Sequence, residues 1–138
     1  MPKIAGVNAL GVLLAALGIY VIGILWFGIL FQELWITSNG YTLEKLEANF
    51  SPVLVYGGGV LIPLILAFAI GWLLKVTGTK GLQASLLFGL KLGLFIVGPL
   101  MAYGYVYNET PSLTAFLLDF SHSLVGFIVG AGILSYFE

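Results

Sequence analysis

The stretch from Ile4 to Phe31 reads IAGVNALGVLLAALGIYVIGILWFGILF and contains no charged side chain. A helix of about 20 apolar residues crosses the hydrocarbon core of a bilayer. This stretch is longer than that, so we expect its helix to be tilted or to emerge from the membrane. It therefore predicts a membrane protein, and the positions of the charged residues indicate where further spans begin and end.

The composition of the whole chain agrees with this interpretation. The 138 residues are 60% hydrophobic and 8% charged, and the mean hydropathy is +1.11, which lies outside the range of soluble globular proteins. The five basic residues are all Lys and the net charge is -1, so the chain has no basic surface for nucleic acid. It contains no Cys, which excludes disulfide frameworks, iron–sulfur clusters and cysteine zinc sites.

Three further stretches are long and apolar enough to span a membrane, at residues 53–74, 82–107 and 113–137. Together with residues 4–31 they predict an all-α fold: a single transmembrane domain over residues 1–138, built as a bundle of four helices. The loop at residues 32–51 contains Thr42 followed by LEKLE. This pattern predicts a short helix that is capped by Thr42 and lies at the membrane interface.

The distribution of Lys predicts the orientation of the chain. Lys3, Lys75 and Lys80 fall on one side of the predicted membrane and Lys45 falls on the other. Cytoplasmic loops carry the excess of positive charge. We therefore expect both termini in the cytoplasm and the loop at residues 32–51 outside, in a multi-pass protein of a bacterial cytoplasmic (inner) membrane.

Three ionisable side chains lie within the predicted spans, namely Lys91, Asp119 and His122. A charge at the bilayer centre costs about 2.5–3.5 kcal/mol on the insertion scale, so such residues mark pairing or function. Asp119 and His122 are three residues apart and share a helix face. One interpretation is a structural cluster in which Lys91 neutralises Asp119; another is a path for a proton or a solute. Haem ligation, a third, would require His122 from two chains.

Glycines four residues apart mark the surfaces on which the helices are expected to pack. Gly126 and Gly130 form one such pair, and Gly89 and Gly93 form a matching pair on the third stretch. Small residues at this spacing let two membrane helices approach closely. Because these faces call for neighbours and four helices bury little surface in lipid, we expect a homo-oligomer or a complex with partner membrane subunits.

Motifs of known catalytic sites are absent from the sequence, including H-E-x-x-H, G-x-S-x-G and a phosphate-binding loop. We therefore expect no catalytic residues, no metal site and no cofactor. The function predicted is that of a non-enzymatic membrane protein, either self-associating or an accessory subunit of a membrane assembly. The alternative is a proton-linked transporter or channel for a small solute that uses Asp119, His122 and Lys91.

Short motifs in three of the stretches are similar to those of a known family. They are LWFGILF at residues 25–31 with Trp35 after it, Val97-Gly98-Pro99, and Asp119-x-x-His122. The chain resembles the small four-helix bacterial membrane proteins grouped as domain of unknown function 1761.

In that family the first helix ends in Leu-Trp-Tyr-Gly-Pro-Leu-Phe followed by Trp, and the fourth helix opens with Asp and then Tyr-His. This chain departs from the pattern at Phe27, Ile29 and Ser121, which removes the phenol hydroxyls from the region of His122. The resemblance implies the four-helix topology but no reaction. It singles out the motif residues Trp26, Gly28, Phe31, Trp35, Asp119 and His122.

Overall fold

Four long apolar helices, packed as a bundle, make up most of the structure, a computed structural model that describes residues 2–138. The all-α fold class is thereby confirmed. In chain order the elements are strands β1 (Lys3–Ile4) and β2 (Val7–Asn8), and helices α1 (Ala9–Leu30), α2 (Gln32–Ser38), α3 (Leu43–Ala48), α4 (Val53–Val76), α5 (Leu82–Val106) and α6 (Leu113–Phe137). Of these, α1, α4, α5 and α6 are long and apolar enough to cross a membrane.

The first membrane helix begins at Ala9 and not at Ile4, where the absence of charge had suggested a start. Asn8 has an extended backbone, and its side-chain oxygen accepts a hydrogen bond from the backbone N–H of Gly11 at 3.2 Å. This is the geometry of a helix N-cap, for which Asn is among the best residues. The cap, rather than the hydrophobic pattern, sets the start of α1.

The residues before this cap form a β-hairpin. Ala5 and Gly6 have φ of 50° and 79°, as the two central residues of a tight hairpin turn require. The Lys75 ammonium donates a hydrogen bond to the carbonyl oxygen of Ala5 at 3.2 Å. This contact joins the hairpin to the last turn of α4.

The two ends of the bundle differ in the elements that they carry. One end, here called the terminal end, holds the hairpin, the α4–α5 connection and Glu138, whose carboxylate accepts a hydrogen bond from the backbone N–H of Gly81 at 3.2 Å. The opposite end, the loop end, holds α2 and α3. Helix α3 has the expected Thr42 cap, with Oγ1 accepting from the backbone N–H of Lys45 at 3.3 Å, whereas α2 was not expected.

Wide, π-helical turns interrupt three of the four membrane helices, at Ile24–Leu30, Val53–Gly57 and Gly93–Val97. The third of these precedes Pro99, which has no N–H and whose ring clashes with the carbonyl group four residues earlier in a regular helix. The N–H of Gly98 bonds to the carbonyl oxygen of Gly93, one residue further back than in an α-helix. The wide turn thus accommodates the proline.

Helix α6 occupies the central position in the bundle. It packs most extensively against α5 and α1, α1 packs in turn against α4, and α4 scarcely meets α5. Alanines are completely buried where the helices come closest, at Ala15, Ala67 and Ala131. Small side chains let helices approach in lipid, where no hydrophobic effect drives them together. The helix that carries Asp119 and His122 is therefore the one with the most protein neighbours.

The glycines of α5 form the contact with α6. A Cβ atom on Gly89 would lie 2.5 Å from the carbonyl oxygen of Phe127, and one on Gly93 would lie 2.5 Å from Cδ1 of Leu124. At Gly89 the neighbour is backbone, so the two helices are in direct main-chain contact.

Gly126 and Gly130 of α6 do not face Gly89 and Gly93 of α5, although the equal spacing predicts that the two pairs match. A Cβ on Gly130 would lie 3.1 Å from Cδ1 of Ile19, and one on Gly126 would lie 3.8 Å from Cγ2 of the same residue. Helix α1 therefore packs against both glycines. Helix α6 has two close contacts on two of its faces, one made by its own glycines and one by those of α5.

Candidate functional site

The ionisable residues of α6 lie in its half nearer the loop end, between α1, α2 and α5. Helix α6 begins with Ser112 as its N-cap, which accepts from the backbone N–H of Ala115 at 3.2 Å. Asp119 follows about two helical turns later and His122 about one turn after that. Both side chains are half-buried. The structure therefore brings Asp119 and His122 to one face, at two different depths.

A cavity of about 580 Å³ opens between α2, the end of α5 and the start of α6. We call it the loop-end cavity. Its walls include the polar residues Ser38, Asn39, Tyr105, Asn108 and Ser112, with Asp119 as the lining residue farthest along α6. Among residues 2–138, Asp119 supplies the only charged side chain of this lining.

The Asp119 carboxylate has no partner of its own. Within the described part of the chain it accepts no hydrogen bond from another residue. A half-buried carboxylate in this state is available to a ligand, a water molecule or a proton.

His122 lies deeper, in an apolar environment. Its Nε2 atom is buried and has no hydrogen-bond partner among residues 2–138. The imidazole packs against the ring of Phe27, with centroids 4.8 Å apart. A Cβ on Gly23 would lie 3.4 Å from Nε2, so this glycine leaves room for the imidazole edge. A buried nitrogen without a partner costs about 1–3 kcal/mol, which a purely structural residue would not need to carry.

An aromatic cluster, formed by Trp26, Phe27, Phe31, Trp35 and Tyr41, consists of two groups of rings. Phe27, which contacts His122, pairs with Trp35 at a centroid distance of 5.9 Å and Trp35 pairs with Tyr41 at 5.2 Å, whereas Trp26 and Phe31 form a separate pair at 5.4 Å. Such tilted pairs each contribute about 0.5–1.5 kcal/mol beyond the area that they bury. The cluster contains three of the motif residues singled out by the family resemblance, Trp26, Phe31 and Trp35.

A hydrogen bond joins the motifs of the first and fourth membrane helices. The indole N–H of Trp26 donates to Oγ of Ser121 at 3.0 Å, and the Ser121 hydroxyl donates to the carbonyl oxygen of Leu118 at 2.9 Å. Trp26 lies in the wide turn of α1, so the bond attaches that turn to α6. In the sequence, Ser121 stands out only as a departure from the family pattern, and nothing else there signals its bond to Trp26.

The fourth motif residue, Gly28, has no close neighbour that explains it. It is exposed, and a Cβ there would meet only Cγ2 of Ile24 at 3.8 Å.

Lys91, by contrast, lies apart from the other two ionisable residues. It is exposed on α5, two positions from Gly89 and from Gly93, both of which face α6. Two residues turn a helix by about 200°, so the Lys91 side chain leaves the opposite face. The cluster expected from the sequence thus consists, within one chain, of Asp119 and His122 without Lys91.

Metal-binding groups are not assembled around this pair. Across residues 2–138, no three His, Cys, Asp or Glu side chains lie close enough together to hold a metal ion. What the arrangement offers chemically is a half-buried carboxylate in a polar cavity and, about one turn deeper, a half-buried imidazole whose Nε2 atom is buried and has no partner among the described residues.

Comparisons with known proteins identify a family but no activity. A search among curated proteins and a search among solved structures each found no match. The family model described as "Protein of unknown function (DUF1761)" matches residues 10–135, from the first turn of α1 almost to the end of α6. Because this match covers nearly all of the four membrane helices and all three motif regions, the chain belongs to the DUF1761 family.

Proposed function

We propose that this chain is a non-enzymatic, multi-pass membrane protein that works in association with another membrane-embedded subunit, either a second copy or a partner protein. The observation that carries the proposal is the exposure of Lys91 on the outside of the bundle. Its neighbours on the same face include Leu87, Leu94 and Phe95, which are also exposed. A charged residue within an exposed apolar face needs a neighbouring protein that supplies a hydrogen-bond acceptor.

Lys91 lies deep in the membrane-spanning part of α5, so the free-energy cost of leaving its charge without a partner is large. The residue lies about 14 Å along α5 from Leu82, at a rise of about 1.5 Å per residue, which is near the middle of a hydrocarbon core of about 30 Å. Its side chain leans toward the start of the helix, so its ammonium group moves toward the terminal end. An isolated charge at the centre costs about 2.5–3.5 kcal/mol on the insertion scale. A carboxylate or a free carbonyl group of a neighbouring helix would offset much of that cost.

The charge also restricts how two copies could meet. In a two-fold dimer with Lys91 on the axis, two ammonium groups would face each other and repel. A homo-oligomer must therefore place Lys91 against a different surface of the neighbour, whereas an accessory subunit could meet an acidic residue of its partner.

We further propose that the terminal end is cytoplasmic. Lys3, Lys75 and Lys80 line one cavity of about 260 Å³ at this end, and this clustering agrees with the rule that positive charge stays inside. In that orientation the loop-end cavity and Lys45 face outward, in the cytoplasmic membrane of a bacterium.

Native mass spectrometry of the protein extracted from its own membrane in mild detergent tests the association. We expect a defined oligomer or a fixed heteromeric mass, and we expect Lys91→Leu to dissociate it. Lys80→Leu is the matched control, because it removes an exposed lysine at the terminal end and should leave the complex intact. A monomeric wild-type protein, or a Lys91→Leu complex indistinguishable from wild type, would refute the proposal.

A second candidate function is supported by the pair on α6. An accessible carboxylate followed about one turn deeper by an imidazole without a partner is the arrangement expected for proton-linked transport of a small solute. Asp119→Asn and His122→Ala should then each abolish flux in proteoliposomes while the bundle stays folded. Flux that persists in both variants would exclude this path.

A further inference from the structure

We propose that the loop-end cavity is a binding site for a small organic cation, held through an alkylammonium group with Asp119 as its counter-charge. The site does not depend on the association proposed above, because Lys91 lies on the far side of α5 from α6. It deepens the second candidate function by naming the class of solute.

The charge of the cavity selects the class of ligand. Within the described residues, its lining holds one carboxylate and no Lys, and the carboxylate accepts no hydrogen bond from the protein. A single unpaired negative charge in a half-buried site attracts a cation and disfavours an anion, since no positive group is at hand to offset the repulsion. A ligand with one positive charge would neutralise the site.

The size and the uncharged walls favour an organic cation over a bare metal ion. A volume of about 580 Å³ lies within the range of small-molecule sites, and the described residues assemble no group of three His, Cys, Asp or Glu side chains that could hold a metal ion. Tyr105 and Phe116 form a stacked pair in the wall, with centroids 5.4 Å apart, and such aromatic lining is typical of small-molecule sites.

Two amides in the wall retain unused hydrogen-bonding groups for a polar substituent of the ligand. The side-chain N–H of Asn39 donates to the carbonyl oxygen of Trp35 at 2.8 Å, which leaves its oxygen as an acceptor. The side-chain oxygen of Asn108 accepts from the backbone N–H of Thr110 at 2.8 Å, which leaves its amino group as a donor. A hydroxyl group next to the ammonium group would fit this lining, as in ethanolamine.

An alkylammonium group can reach the cavity from two sources, as a free solute or as the head group of a lipid. The experiment separates them. In the first arm, ethanolamine is titrated calorimetrically into the full chain in lipid-free detergent, with 1-propanol as the uncharged control. In the second arm, the chain in nanodiscs of equal phosphatidylethanolamine and phosphatidylglycerol is released and its retained lipids are identified by native mass spectrometry.

Saturable binding of ethanolamine but not of 1-propanol would support a free solute. Preferential retention of phosphatidylethanolamine would support the lipid source. In whichever arm is positive, Asp119→Asn should weaken binding at least tenfold, whereas Glu33→Gln, which removes an exposed carboxylate outside the cavity lining, should not. Absence of binding in both arms, or unchanged binding by Asp119→Asn, would overturn the proposal.

A second variant keeps the test valid if Asp119→Asn fails to fold. Gly104 lines the cavity, and a Cβ there would meet no atom within 4 Å. Gly104→Leu should therefore fold and add a bulky side chain to the cavity wall while Asp119 is unchanged, so that the ligand loses space and binding again falls at least tenfold. Gly57→Leu is the matched control, because this glycine is equally open and lies outside the cavity lining. Binding by Gly104→Leu equal to that of Gly57→Leu would refute the site.

Discussion

The contact between α5 and α6 should be the part of the bundle most sensitive to a single added methyl group. In Gly89→Ala the new Cβ would lie 2.5 Å from the carbonyl oxygen of Phe127 and 2.9 Å from Cα of Ile128. The shorter distance is about 0.9 Å less than the 3.4 Å at which ordinary contact begins. Both neighbours are backbone atoms, so no side chain can rotate away and the helices themselves must separate.

The size of the effect follows from two opposing contributions. Overpacking costs about 1–3 kcal/mol, and the rigid neighbours place Gly89→Ala in the upper part of that range. Alanine favours the helix over glycine by about 1 kcal/mol. We therefore expect the free energy of unfolding to fall by about 1–2 kcal/mol, which is about tenfold in the folding equilibrium.

Gly104→Ala isolates the steric contribution. It makes the same substitution in the same helix, but its Cβ would meet nothing within 4 Å. We expect this variant to be as stable as wild type or slightly more stable. The assay is unfolding by SDS in mixed micelles, followed by circular dichroism. If Gly89→Ala proved as stable as Gly104→Ala, the close main-chain contact between α5 and α6 would be wrong.

Three further predictions concern the site and the topology. Ser121→Ala should lower the free energy of unfolding by about 1 kcal/mol, because it leaves the Trp26 N–H without its acceptor. A double-mutant cycle with Trp26→Phe should give a coupling energy of about 0.5–1.5 kcal/mol. A coupling energy of zero would contradict the hydrogen bond. His122→Phe should raise the free energy of unfolding by about 1 kcal/mol, because it removes a buried nitrogen without a partner and keeps the ring contact with Phe27. A decrease of the same size in the free energy of unfolding would mean that Nε2 has a partner. Because the natural chain has no Cys, Ala48→Cys should react with an impermeant maleimide on intact cells and Thr77→Cys only after permeabilisation, and the reverse labelling pattern would invert the proposed orientation.

The spans could be predicted because the length of a predominantly apolar run needs no information about neighbouring helices. The residues at which the helices begin and end were harder to predict. A hydrophobic count cannot detect that Asn8 caps α1, or that Ala5 adopts a left-handed backbone in a hairpin turn. The Thr42 cap was predictable because Thr before a charged, amphipathic segment is itself the local signal for a helix start.

The helix face shared by Asp119 and His122 could be predicted from the sequence, but the helices that pack against this face could not. The spacing of Asp119 and His122 places them on one face of any helix, so their proximity needed no structure. The sequence does not tell which helix packs against that face. Helices α5 and α6 carry apolar side chains on every face, so the hydrophobic pattern does not indicate which side points inward. For that reason the exposure of Lys91 and the bond between Trp26 and Ser121 had to come from the packing.

The central position of α6 has a consequence for how the protein is made. Helices enter the membrane in the order of synthesis and associate afterwards, so α1 and α4 can pair as soon as both are inserted. Helix α5 then has almost no packing partner, because α4 makes few contacts with it. Only α6, which is synthesised after α5, supplies the surface on which α5 packs and the hydroxyl that accepts the hydrogen bond of the Trp26 indole. Until that moment the nascent chain is an assembled pair with a third, lysine-bearing helix still alone in the lipid.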